Sequence, residues 1–245
     1  MLHFFKTKSY LKDIIPSNFV DIHSHLLPGI DDGAKTIEET KSLVASLQGF
    51  GFEQFITTPH IMQNVWNNTT EIITSKLKAT LPLLQDSLQL PKIKAAAEYM
   101  MDSYFTENCN SKVLLPLKDN YVLVEMSYLN APIQLYQIIF DVQIAGYIPI
   151  LAHPERYNFY HSNYGEFKKL KNAGCLFQLN LLSTVGYYGA NVTKIATQLL
   201  KDGMIDFVGS DVHHQNHVAA FSKKLLLKDL NPLKEAIEKN QFFRF

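Results

Sequence analysis

Cysteine is scarce in this 245-residue chain: Cys109 and Cys175 stand alone and far apart. Two isolated thiols give neither a disulfide framework nor a zinc knuckle, so both are expected to be reduced. A cysteine phosphatase is excluded as well. It needs an arginine six residues after its nucleophile, and those positions hold Leu115 and Leu181. Arginine is equally scarce, with only Arg156 and Arg244 against many lysines. An excess charge of either sign is missing, since 23 Lys and Arg balance 23 Asp and Glu. That balance argues against bulk binding to nucleic acid or an anionic membrane. No apolar run approaches the roughly 18 residues of a membrane span. The stretch Met1-Leu2-His3-Phe4-Phe5 is cut short by lysines and is too brief for a signal-peptide core. The expectation is a soluble cytoplasmic protein, with residues 1–17 a short N-terminal extension and 18–245 a single domain.

What the chain does have is rhythm. Seven short runs rich in β-formers recur: Phe19–His25, Gln54–His60, Lys92–Tyr99, Tyr121–Ser127, Ile148–His153, Leu176–Asn180 and Asp206–Asp211. Several are almost continuously apolar, as expected for parallel strands covered on both faces. The gaps read as helices. Thr36-Ile37-Glu38-Glu39 is a capping box ahead of a periodic stretch to about Gln48. Glu71–Leu88 is a second helix, broken near Pro82. Pro132–Ala145, Glu166–Asn172 and Val192–Lys201 follow, each stopped by a glycine. Asn231-Pro232 opens Leu233–Lys239. Strand and helix alternate about seven times, which predicts a parallel sheet closed into a barrel.

In such a barrel, chemistry sits at the C-terminal strand ends. The first run ends in His23 and His25, which at i and i+2 face the same way. Asp31 and Asp32 lie on the loop after it. Later runs end at His60, Glu98, Glu125, His153, and Asp211 with His213. Buried carboxylates without partners are costly, so such groups pair or bind metal. A His/Asp/Glu set without thiolate suits manganese, iron or zinc. These side chains are too many for one tetrahedral ion and would serve two or three ions with bridging carboxylates. Neighbouring ions of that kind suit in-line displacement at phosphorus.

The segment Asp21-Ile22-His23-Ser24-His25-Leu26-Leu27-Pro28-Gly29-Ile30-Asp31-Asp32-Gly33-Ala34-Lys35 resembles the opening motif of PHP-domain (polymerase and histidinol phosphatase) hydrolases. It resembles more closely the bacterial manganese-dependent protein-tyrosine phosphatases of capsule and exopolysaccharide operons. Thr57-Thr58-Pro59-His60, His153-Pro154-Glu155-Arg156-Tyr157, Gln178-Leu179-Asn180-Leu181-Leu182-Ser183 and Gly209-Ser210-Asp211-Val212-His213 are similar to that family's later motifs.

The resemblance implies a distorted (β/α)7 barrel of the PHP type with a trinuclear centre. It implies that His23, His25, Glu98 and Asp211 hold one ion, and Asp32, His60 and His213 a second. Glu125 and His153, with Glu98 bridging, would hold the third. Asp31 is the alternative to Asp32. The implied partner is a phosphotyrosine protein, the tail of a bacterial tyrosine autokinase controlling polysaccharide export. The expected reaction is attack of a metal-bridging hydroxide on phosphotyrosine, without a phospho-enzyme. Several relatives carry a phosphate-holding arginine a few residues after the last Asp-x-His. Here the segment reads His213-His214-Gln215-Asn216-His217-Val218, without one. Either His217 takes that task or Arg156 carries it alone, its planar fork suited to phosphate.

Other readings remain. Arg156 could serve a structural salt bridge with Glu155 or another acid. His3 and His161 read as solvated surface, and His214 as either surface or a support for its neighbouring ligand. Tyr128, Tyr157, Tyr187 and Tyr188 read as rim packing before they read as a groove for an aromatic substrate. At the level of function, the alternatives are a histidinol-phosphate-type phosphatase, a nuclease, an amidohydrolase and a non-catalytic metal-binding regulatory module. A second His two residues after Asp211, with Glu98 and Glu125 both ending strands, favours the PHP type over an amidohydrolase.

Overall fold

The protein's structure, a computed structural model, describes residues 9–84 and 91–245. Residues 1–8 of the expected extension, His3 among them, and the end of the Glu71–Leu88 helix from 85 onward lie outside the described residues. All seven apolar runs contain strand, but two of them break. β1 is Phe19–Asp21, followed by helix α1 (Ile37–Gln48). The second run gives β2 (Phe52–Thr57) and β3 (His60–Ile61), interrupted where Pro59 has no N–H to donate. Helix α2 (Thr70–Thr80) passes into a 3-10 turn, Leu81–Leu84, that contains Pro82. The third run splits at Ala96-Ala97 into β4 (Lys92–Ala95) and β5 (Glu98–Met100). Then come α3 (Ser103–Asn110), β6 (Tyr121–Glu125), α4 (Leu135–Ile144), β7 (Ile148–Ala152), α5 (Gly165–Asn172) and β8 (Leu176–Asn180). Helix α6 (Ala190–Lys201), β9 (Phe207–Gly209), α7 (Gln215–Ala220) and α8 (Asn231–Lys239) complete the order.

The ladders are all parallel and fall into two sheets, β1-β2-β4 and β3-β5-β6-β7-β8-β9. Single backbone bonds carry the ring across the breaks: Thr58 N–H to Ser24 O (2.7 Å), Ala96 N–H to Thr57 O (2.9 Å) and Glu98 N–H to Pro59 O (3.2 Å). The first and last runs meet in two ways. Beyond the strands, Asp211 N–H donates to His23 O (2.8 Å) and His25 N–H to Val212 O (3.0 Å). Below, buried Asn240 stands in for a ladder. Its amide donates to Val20 O (2.9 Å) and Val208 O (2.8 Å) and accepts from Val208 N–H (3.1 Å). The seven runs thus close the distorted (β/α)7 ring that the sequence predicts.

The core has two layers. Val20, Ile56, Leu123, Ile150 and Phe207 fill the barrel interior, with Leu117 and Phe243 in the same cluster. Phe19, Phe55, Val122, Val124, Leu151, Phe177, Leu179 and Val208 belong to the larger cluster under the helices. Period-two alternation then places the site. Two residues beyond interior Ala96 comes Glu98, and two beyond Leu123 comes Glu125. Beyond Leu176 come Gln178 and Asn180, and beyond Phe207 come Gly209 and Asp211. The interior face changes from apolar to polar at one end of the barrel.

The described part of the expected extension is packed on the body. Leu11 is fully buried, and Lys12 N–H donates to Phe221 O (2.9 Å). Helices α3 and α7 are additions to the sequence reading. The predicted capping box is half formed: Thr36 Oγ1 accepts from Glu39 N–H, but the Glu39 carboxylate reaches Lys35 N–H (2.6 Å). At α8 the N-cap position is Leu230, without a side-chain cap, and the expected cap Asn231 is the first helical residue, its N–H taken by Asp229 (3.0 Å).

Candidate metal centre

His23, His25, Asp32, His60, Glu98, Glu125, His153, Asp211 and His213 converge at the polar end of the barrel. His23 Nε2 lies 3.2 Å from Glu98 Oε2 and 3.3 Å from Asp211 Oδ1. His25 Nε2 is 3.4 Å from Glu98 Oε2 and 3.5 Å from Asp211 Oδ1. Asp32 Oδ1 sits 3.4 Å from Nε2 of both His60 and His213. His60 Nδ1 faces Glu125 Oε1 (2.9 Å) and Glu98 Oε2 (3.2 Å). His153 Nε2 meets Glu98 Oε1 (3.1 Å). The first two expected ligand sets are therefore each brought together. His153 meets Glu98 through Oε1, whereas Glu125 shares His60 Nδ1 with Glu98 Oε2, so the imidazole facing Glu125 is that of His60.

Three imidazoles are fixed from behind. His25 Nδ1–H donates to Asp31 Oδ2 (2.7 Å), His23 Nδ1–H to Gln178 Oε1 (2.7 Å) and His213 Nδ1–H to Asp211 O (2.9 Å). Each bond leaves Nε2 free to face the cluster, the usual support of a metal-binding histidine. Asp31 and Asp32 are thereby distinguished. Asp31 is buried behind His25 and also accepts from Gly33 N–H (2.9 Å), whereas Asp32 faces His60 and His213. Gly33 makes this loop feasible, because a Cβ there would lie 2.2 Å from His25 O. Gly209 likewise gives His23 its room, since a Cβ would fall 2.6 Å from the His23 Cβ.

The donor set fits divalent ions. Buried Glu98 Oε2, Glu125 Oε1, His60 Nδ1 and His153 Nδ1 have no hydrogen-bond partner among the described residues. His60 Nδ1 nevertheless lies 2.9 Å from Glu125 Oε1 and 3.2 Å from Glu98 Oε2, misaligned for hydrogen bonds but convergent on a common centre. Burial pulls His25 and His60 down, yet Asp31 beside His25, and Glu125 with Glu98 beside His60, push both well above the ordinary histidine value. Burial raises Glu98 and Asp211, and the surrounding imidazoles, His23 foremost, hold both well below the carboxylate range. A cation would replace those protons. His153 (φ 37°) and Asp211 (φ 50°) are both in the left-handed region, and such backbone strain clusters at functional sites.

A family model for capsular polysaccharide synthesis, CpsB/CapC, matches residues 19–224. The chain belongs to the CpsB/CapC family.

Among curated relatives it is 29% identical over 199 residues to the putative tyrosine-protein phosphatase CapC of Staphylococcus aureus, covering 79% of this chain and 76% of that one. It is 27% identical to the tyrosine-protein phosphatase YwqE of Bacillus subtilis, covering 80% and 77% of the two chains. A crystal structure from work on YwqE and on CpsB of Streptococcus pneumoniae, described as unique metal-dependent tyrosine phosphatases, superposes with a TM-score of 0.76. The identity is 26%, and 82% of this chain and 84% of that one are covered.

The other family motifs lie around the cluster. Arg156 Nη1–H donates to Asp211 Oδ2 (2.7 Å), so the acid it pairs with is Asp211 and not Glu155. Its guanidinium carbon is 4.1 Å from the Tyr188 ring centre and 4.8 Å from that of Tyr128. Glu155 instead accepts from Ser183 Oγ–H (2.6 Å) and Asn180 N–H (3.0 Å), tying the loop after β7 to the turn after β8. His217 is buried, and its Nδ1 accepts from His213 N–H (3.2 Å). Burial pushes its pKa down to about 4, leaving an uncharged ring that braces His213. Tyr157 is buried, accepts from Met126 N–H (2.9 Å) and lines no groove. Asp21 accepts from Ser210 N–H (2.9 Å) and Oγ–H (2.5 Å), clamping the ends of the first and last runs together. Gln178 and Asn180 sit in a quoted motif, but sequence reading gave them no role. The interior alternation after Leu176 was the signal that pointed to them.

Proposed function

We propose that this chain is a metal-dependent protein-tyrosine phosphatase, the activity for which its curated relatives are named. The observation that carries the reading is the convergence of nine His, Asp and Glu side chains at one barrel end, beside a guanidinium, in a CpsB/CapC chain. His23, His25, Asp32, His60, Glu98, Glu125, His153, Asp211 and His213 would hold two or three divalent ions. Manganese is the expected ion, with iron and zinc the alternatives for a donor set without thiolate. Bound there, the ions would supply a water-derived nucleophile at neutral pH and positive charge opposite the phosphoryl oxygens.

The chain's own residues do the rest. Asp31, Gln178 and the Asp211 carbonyl fix the tautomer and aim of three imidazoles. Arg156 is the cation at the cluster, and its Nε and Nη2 have no protein acceptor among the described residues. That edge of the fork is free to take two phosphoryl oxygens. Both cysteines are buried and neither belongs to the cluster, so no thiol would form a covalent phospho-enzyme. No helix among the described residues is long and apolar enough to cross a membrane. The reading places the enzyme in the cytoplasm as one catalytic domain over 18–245. Its substrate would be a phosphotyrosine protein, the tail of a tyrosine autokinase that controls polysaccharide export, with no nucleic-acid partner.

The test is turnover by the manganese-loaded protein of a phosphotyrosine peptide beside a phosphoserine peptide, histidinol phosphate and single-stranded DNA. Preference for phosphotyrosine, lost in chelator, is expected. Much faster turnover of histidinol phosphate or DNA refutes the reading.

A further inference from the structure

A guanidinium on a long side chain is mobile, and among the described residues one guanidinium, that of Arg156, faces the cluster. The second arginine cannot help. Arg244 is spent on Glu53, through Nη1 (3.1 Å) and Nη2 (2.8 Å), and on Asn18 O (2.8 Å). Around Arg156, however, four groups form a closed circuit. Arg156 Nη1–H donates to Asp211 Oδ2 (2.7 Å). The same oxygen accepts from Asn180 Nδ2–H (2.7 Å). The other Asn180 Nδ2 hydrogen goes to Tyr188 Oη (3.0 Å). The Tyr188 ring lies against the guanidinium at 4.1 Å, and Tyr128 flanks it at 4.8 Å. Asn180 is itself immobile, because it is fully buried and its Oδ1 accepts from Leu182 N–H (2.9 Å).

We propose that Tyr188, locked by Asn180, is a positioning residue that fixes the Arg156 guanidinium for phosphate, with Tyr128 a second ring against it. The circuit consumes only Nη1. The Nε and Nη2 edge, the pair that grips two oxygens side by side, is left whole and held in one orientation. Preorganisation of this kind lowers the entropy lost when the anion binds. An aromatic face against a partly desolvated guanidinium adds cation–π attraction. Tyr188 thus acts through Arg156 and needs no contact with substrate. The inference rests on the reading of Arg156 as the phosphate-holding group.

The experiment compares wild type, Tyr188→Phe, Tyr188→Leu and Arg156→Ala in the manganese-loaded enzyme. The readouts are KM and kcat on p-nitrophenyl phosphate and on a phosphotyrosine peptide, the inhibition constant of inorganic phosphate, and metal content. Tyr188→Phe keeps the ring but loses the Asn180 bond to its hydroxyl, and should show the smaller rise in KM and in the phosphate inhibition constant, about threefold. Tyr188→Leu loses it and should raise both KM and the phosphate inhibition constant about tenfold, with kcat and metal content nearly unchanged. In the Arg156→Ala background, Tyr188→Leu should add nothing. An unchanged phosphate inhibition constant in Tyr188→Leu overturns the proposal, as does an equal loss in Tyr188→Phe or a loss of metal. If Tyr188→Leu does not fold, Tyr128→Leu, on the more exposed side of the guanidinium, gives the same comparison. A wild type that hydrolyses p-nitrophenyl phosphate but no phosphotyrosine peptide refutes the substrate reading instead, and phosphate inhibition then still decides the clamp.

Discussion

Replacing Asp31 by asparagine separates the roles of two adjacent carboxylates. Asp31 Oδ2 lies 2.7 Å from His25 Nδ1, while its other oxygen accepts from Gly33 N–H at 2.9 Å. These partners are donors, as is His60 N–H (3.3 Å to Oδ2), and an asparagine has one oxygen to offer them. Its amide N–H2 must then face either His25 Nδ1–H or Gly33 N–H. The bond at risk is charge-assisted and worth about 1.5–3 kcal/mol. At about 1.4 kcal/mol per decade, that predicts a fall in metal affinity of about 10- to 100-fold. The number of ions bound at saturation should not change, because Asp31 offers the cluster no donor atom. Asp32→Asn behaves differently, because Asp32 Oδ1 is the atom that His60 and His213 share at 3.4 Å each. It should lower the number of ions retained. The assay is metal content after dialysis against graded chelator, with circular dichroism to confirm the fold. Wild-type affinity in Asp31→Asn would refute the reasoning, as would the loss of a whole ion in Asp31→Asn to match Asp32→Asn.

Burial pushes Cys109 up to about 11 and Cys175 up to about 12, so both stay protonated at pH 8. Iodoacetamide should leave activity intact while a chelator abolishes it, and inactivation without metal loss would contradict this. Asn240→Ala leaves Val20 O, Val208 O and Val208 N–H unpaired between the first and last strands. At the low end of about 1–3 kcal/mol per buried unsatisfied group, the three together should cost at least about 3 kcal/mol of stability, read from urea unfolding. A loss below about 1 kcal/mol would show that the ring closes without this side chain. Burial pushes Glu155 from 4.5 up to about 7. A folded pKa above the unfolded one means that this group's contribution to stability declines as pH rises from 4.5 to 7. Glu155→Gln should flatten the stability profile across that window, and an unaltered slope would count against the assignment.

The sequence carried the barrel because parallel strands covered on both faces leave continuous apolar runs, as in Tyr121-Val122-Leu123-Val124. It carried the cluster because seven strands point the same way, so their last residues share one rim. The breaks at Pro59 and at Ala96-Ala97 were less visible, since the apolar pattern runs through them. Helix α3 reads as a polar stretch, Ser103–Asn110, and its start depends on Asp102 accepting from Phe105 N–H (2.8 Å). The choice between Asp31 and Asp32 could not be read at all. It turns on the close approach of Gly33 to His25, a tertiary contact with no local signature. Alternation after Leu176 turns Gln178 and Asn180 inward, but what they and Tyr188 meet there, His23, Asp211 and Arg156, is set by tertiary contacts.

The metal-capable groupings at the rim overlap in a particular way. His25 belongs both to the set with Asp32, His60 and His213 and to the set with His23 and Asp211. His60 joins the first of these to Glu98 and Glu125. Glu98 joins that one to His23 and His153, and His23 returns to the start. The four sets form a cycle in which each neighbour shares one residue. At three of the four junctions the shared residue is an imidazole, and a neutral imidazole has a single lone pair to give, so filling one set withdraws a donor from the next; at the fourth, Glu98 has two oxygens and can serve both neighbours. Ion uptake by such a rim is a linked equilibrium: the affinity of each successive ion depends on where the previous one settled. A metal titration should therefore depart from a sum of separate isotherms.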